Sequence, residues 1–163
     1  PSLIRVEADE ATYNLHIMIR YEIEKQLING ELDIDDLPDA WDDMYEKFLG
    51  IRSPNRTQGV LQDIHWSMGA FGYFPTYTLG NLYSAQLLAA ARLDLEGEES
   101  LEEMWSRGEF EPLLQWMRDN VHARGSILSP AELIEEATGQ PPTPQPFIDY
   151  LSAKIERLYG VNA

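Results

Sequence analysis

The chain has 163 residues, 44% of them hydrophobic and 10% aromatic, which is enough apolar material for a globular core and excludes a disordered chain. Its formal charge is -16, from 28 acidic against 12 basic residues, and a surface so negative repels phosphate backbones and anionic lipid, so neither nucleic acid nor membrane is expected as a partner. Cysteine is absent, which removes disulfides, thiolate metal sites and cysteine nucleophiles and makes a cytoplasmic location the natural expectation.

Helical periodicity dominates, no alternating β-branched run asks to be a strand, and an all-α fold is predicted. The first helix is expected over 10–28, where Leu15, Ile19, Ile23 and Leu27 recur every four residues before Asn29-Gly30. A second starts at Pro38, stacks Trp41, Met44, Tyr45 and Phe48, and stops at Gly50. A central helix is expected over 76–90, weakened locally by Gly80 and alanine-rich towards its end. Helices over 101–107, 111–123 and 129–138 follow, the last opened by the capping box Ser129-Pro130-Ala131-Glu132. Beyond the rigid connector 140–144, an amphipathic helix over 145–159 carries Phe147, Tyr150, Leu151, Ile155 and Leu158. No linker divides the chain, so residues 1–163 are read as a single helical portion. Starting without Met and directly in an apolar and charged run, it reads as a trimmed or fragmentary chain, although removal of an initiator Met would leave the same trace.

Acidic residues gather over 31–46, a stretch free of basic residues, and again over 94–111. Such runs are ordinarily solvated helix faces, and these lack the glycine and ligand spacing of a calcium loop. His16, His65 and His122 are far apart and none sits in a His-Glu-x-x-His pair, so no self-contained zinc site is expected. The segment 59–81 stands out because it mixes glycines, aromatics and hydrogen-bonding side chains, a composition suited to a cleft wall. Read by residue type alone, His65 is first a structural histidine paired with Asp63 or a carbonyl, and Tyr73 and Tyr77 are first packing residues with surface hydroxyls.

Two motifs carry a resemblance. Gly59-x-x-Gln62-Asp63-x-His65-Trp66 and Ile4-Arg5-x-x-Ala8-Asp9 both match, in order, signatures of the carboxypeptidase Taq family of metallopeptidases, and Phe71 to Tyr77 and Ser129 to Leu133 look similar to it as well. The resemblance extends over essentially the whole chain and implies the C-terminal, substrate-binding side of a mainly helical His-Glu-x-x-His peptidase with a groove between two sides. The metal-binding motifs of that family are not in this sequence. Implied partners are therefore a peptide substrate, the N-terminal metal-binding part and a second copy in a homodimer, with zinc or cobalt in the complete enzyme and none held by this chain alone.

By the same resemblance His65 and Tyr77 are catalytic candidates, Tyr77 as donor to the oxyanion, with Tyr73 and Arg5 binding the peptide and Arg5 gripping its terminal carboxylate. Asp9, Gln62 and Asp63 are the expected supporting residues, Asp63 or Gln62 fixing the His65 tautomer. Arg5 has an alternative as a structural pair with Asp9 or Glu7. Two other readings stay open: a non-catalytic acidic helical interaction module, and a self-sufficient hydrolase built on Asp63 and His65 that lacks an identifiable nucleophile. An exposed groove lined by Arg5, His65 and Tyr77 favours the peptidase, and a buried aromatic knot favours the module.

Overall fold

The computed structural model describes residues 1–161. Among them are seven α-helices, no strand, and three short 3-10 turns at Arg5–Glu7, Trp66–Met68 and His122–Arg124. The helices are α1 (Tyr13–Asn29), α2 (Leu37–Leu49), α3 (Pro75–Leu95), α4 (Leu101–Ser106), α5 (Glu111–Asn120), α6 (Pro130–Thr138) and α7 (Gln145–Tyr159). The chain divides into two compact units, Pro1–Leu79 and Gly80–Ala163, and the division falls within α3 rather than at a loop.

In the first unit α1 packs on α2. Ile19 and Ile23 meet Leu37, Trp41, Tyr45 and Leu49, with Leu15, Leu27, Met44 and Phe48 around them, so the four-residue spacing of the sequence is the spacing of the seam. Trp41 and Tyr45 stack at 5.0 Å, and full burial of each such side chain contributes about 1.5–3 kcal/mol. Both helices end on glycines in left-handed conformation, Gly30 at φ 70° and Gly50 at φ 70°, where a side chain is disfavoured. A polar row on α1 is also buried: Asn14, His16, Arg20 and Glu24. The periodicity of apolar residues gives no hint of it.

In the second unit α3 is longer than the sequence suggests, running past Ala90 to Leu95, with Ala91 fully buried. Gln86 is buried in mid-helix because it staples the connector: Nε2 donates to Thr138 Oγ1 and to the carbonyls of Gln140 and Pro141, and Oε1 accepts the Thr143 amide. Reciprocal capping boxes open α4 (Ser100 with Glu103) and α6 (Ser129 with Glu132). Helix α5 stops at Asn120, short of the expected 123, and His122–Arg124 continue as a 3-10 turn.

Candidate functional site

The expected site residues all lie in the first unit, and all but Asp9 converge. The Arg5 backbone N–H and the Arg20 guanidinium both donate to Gln62 Oε1, at 2.9 and 2.8 Å. Asp63 sits between the two guanidinium groups, accepting from Arg5 Nη2 at 2.7 Å and from Arg20 Nε at 2.7 Å. Burial by itself would push the Asp63 carboxyl up, yet the hydrogen bonds and charges of Arg5 and Arg20 outweigh it and hold the carboxyl below its ordinary value. Arg20 also donates to the His16 carbonyl at 2.8 Å and to Tyr45 Oη at 3.3 Å, so one side chain ties the motif loop to both core helices.

Above this ionic layer lies an aromatic one. His65 Nε2 is 3.1 Å from Tyr77 Oη. The His65 ring packs on Phe74 at 4.4 Å and stacks with Tyr73 at 5.8 Å, while Tyr73 meets Tyr77 edge to face at 5.4 Å. The Arg5 guanidinium carbon lies 5.0 Å from the Tyr77 ring centroid, a cation over an aromatic face. Tyr77 is half-buried on the first turn of α3, and Tyr73 is exposed at 50%, so the layer has one open edge.

Several expected placements are refined. Arg5 is only 7% exposed, with its fork occupied by Asp63 and Nη1 donating to Tyr13 Oη at 3.1 Å, so it does not present a free cation at the surface; its partner is Asp63 rather than Asp9 or Glu7. Asp9 stands apart from the cluster, holding the Thr12 amide and hydroxyl at 2.9 Å each, just ahead of α1. Gln62 is turned to the arginines and to the carbonyls of Leu3 and Gln58, not to His65. Asp63 Oδ1 is 3.8 Å from His65 Nδ1, beyond hydrogen-bond reach, and Nδ1 has no hydrogen-bond partner.

Sequence reasoning missed Arg20, Glu24 and His16. Their signal is the i, i+4, i+8 spacing of three polar residues on one helix, a pattern set beside the apolar one and overlooked because polar residues on helices usually face water. His16 is wholly buried; Nδ1 lies 3.0 Å from Tyr45 Oη and Nε2 has no hydrogen-bond partner. Burial first, then the charges of Arg20 and Arg5, lowers its pKa to about 4.

The carboxypeptidase Taq (M32) metallopeptidase family model matches residues 1–155. The chain belongs to that family. It is 52% identical over 98% of its length to thermostable carboxypeptidase 1 of Thermus thermophilus, and 48% identical over 98% to carboxypeptidase 1 of Bacillus subtilis. It spans 31% of the length of each of these relatives. A crystal structure of the M32 carboxypeptidase from Deinococcus radiodurans R1 superposes with a TM-score of 0.93 at 47% identity, covering 98% of this chain and 32% of that one. Membership implies a divalent metal in the complete M32 enzyme. Among the described residues no three His, Cys, Asp or Glu side chains come together as a ligand set, so the residues present do not fit a metal site. Among the described residues no helix is long and apolar enough to cross a membrane.

Proposed function

We propose that this chain supplies the substrate-facing wall of a metal-dependent carboxypeptidase that removes the C-terminal residue of peptides, and that the zinc or cobalt ion is held by residues outside this chain. The observation that carries the reading is the His65–Tyr77 pair at the open edge of a buried ionic layer. In the resting arrangement His65 Nδ1–H faces Asp63 and Nε2 accepts the Tyr77 phenol proton. A scissile carbonyl oxygen gaining negative charge competes for that same proton, so the phenol bonds it more strongly as the carbon becomes tetrahedral. Arg5 acts from beneath: its charge under the ring draws electron density from the phenol and strengthens it as a donor. Tyr73 offers a half-exposed ring to the peptide. Exposed Ile64, Met68 and Phe71 on the same segment supply an apolar surface for the metal-binding part of the enzyme to cover. The complete enzyme acts on peptides in the cytoplasm as a homodimer.

The test is Tyr77→Phe in the complete enzyme. Turnover is expected to fall about a hundredfold to a thousandfold with KM little changed, the cost of losing one oxyanion donor. Tyr73→Phe is expected to leave kcat within a few-fold. Unchanged turnover in both variants would make the segment scaffold and sink the proposal.

A further inference from the structure

Glu24 is buried, 7% exposed, on the helix that carries His16 and Arg20, and its two carboxylate oxygens receive two different donors. The Trp66 indole N–H donates to Oε2 at 2.9 Å, and the Gly72 backbone N–H donates to Oε1. Trp66 directly follows His65, and Gly72 directly precedes Tyr73. One carboxylate therefore joins the two ends of the segment 66–72, whose remaining residues are mostly exposed and whose bends fall at Gly69 (φ 75°) and Gly72 (φ 76°). The Trp66 ring is wedged edge-on between Trp41 at 6.3 Å and Phe74 at 5.8 Å, which fixes one end against the core. The other end has Glu24 as its anchor, immediately before the residues that build the aromatic layer.

We propose that Glu24 is the positioning residue of this site, a clamp that sets the distance between His65 and the Tyr73–Tyr77 turn by holding both ends of the intervening segment. Only a carboxylate serves, because two N–H donors converge on it and it offers two acceptor oxygens with no proton to set against them. A glutamine of the same shape satisfies one donor and turns its own NH2 on the other. As a statement about catalysis the clamp rests on the carboxypeptidase reading; as a statement about where the His65 ring lies it does not.

The experiment compares Glu24→Gln, Trp66→Phe and the double variant by NMR in the full chain, and by kinetics in the complete enzyme. In Glu24→Gln the Gly72 amide is expected to exchange about tenfold faster or more, and the His65 ring protons, which lie against Phe74 and Tyr73, are expected to shift as the ring currents change. In the double variant the surviving Gln oxygen has only Gly72 to serve, so Gly72 protection and the His65 shifts are expected to return to the values of Trp66→Phe alone. In the complete enzyme Glu24→Gln is expected to lower kcat about tenfold to a hundredfold, with KM altered far less, as sub-ångström misplacement of a donor does. His65 resonances that stay in place in Glu24→Gln while the Trp66 indole resonance moves would overturn the clamp. Displaced His65 resonances with unchanged kcat would leave the clamp standing and overturn the catalytic reading of the pair. If Glu24→Gln does not fold, Trp66→Phe removes one donor without touching the carboxylate, and unshifted His65 resonances there would equally overturn the proposal.

Discussion

His16 makes the stability of the protein depend on pH between the pKa of its buried ring and the ordinary value it has in the unfolded chain. Its ring is fully buried, Nε2 has no acceptor, and the Arg20 guanidinium reaches the Tyr45 hydroxyl that also meets Nδ1, so a protonated imidazole would place a bare N–H and a positive charge beside two arginines. The native pKa is accordingly about 4, against an ordinary value of 6.5. Between those two values the unfolded chain binds more protons than the native one, so stability is full above about pH 7, falls as pH drops through 6.5, and levels off below about 4. At 1.36 kcal/mol for each unit of separation the total loss is about 3 kcal/mol, of which about 2 kcal/mol is gone near pH 5. Urea denaturation of the wild type and of His16→Gln at intervals from pH 7.5 to 4.5 isolates the contribution, since glutamine carries no proton in this range. The difference in unfolding free energy is expected to move by about 2 kcal/mol in favour of the variant as pH falls to 5. Parallel curves for the two proteins, or a His16 ring that titrates near its ordinary value by NMR, would refute the argument.

Asp63→Asn is expected to destabilise the fold by about 3–5 kcal/mol in chemical denaturation, because two buried guanidinium groups lose the carboxylate they share. The same carboxylate, held below its ordinary pKa, contributes stability above about pH 4 that is lost as pH falls further, and the Asn variant is expected to lack that acid-sensitive limb. Gly59→Ala is expected to lower the thermal midpoint, at a cost of about 1–3 kcal/mol, since a Cβ there would lie 2.9 Å from Ser53 Oγ and 3.2 Å from the Asn55 carbonyl; an unchanged midpoint would show that the turn yields freely. Ser129→Ala removes the acceptor at the start of α6 and is expected to cost about 1 kcal/mol, seen as faster amide exchange in the first turn of that helix.

The sequence by itself determined the helices and most of their ends. Apolar spacing over Leu15 to Leu27 and Trp41 to Phe48 gave the α1–α2 seam, prolines and glycines gave the starts and stops, and the capping box at Ser129 formed as written. These are local effects, decided within one turn of helix or one hydrophobic stripe. The 3-10 turn at His122–Arg124 and the full length of α3 escaped because fraying and continuation depend on what the last turn packs against. Two signature motifs singled out Arg5, Gln62, Asp63 and His65, and the run that follows them singled out Tyr77, while what each touches was decided in three dimensions. Asp63 has one carboxylate for three cationic or polar neighbours, and the chain settles that competition with Arg20, a residue 43 positions away whose helical spacing with His16 and Glu24 does not say what it will meet. Glu24 has the same spacing and the same silence about its partners, an indole N–H and a glycine amide that acquire meaning only when α1 passes beneath the 66–72 segment. Burial turns such polar contacts from optional into obligatory, because a buried donor left without an acceptor costs more than the bond itself returns, and burial is a property of the packed molecule.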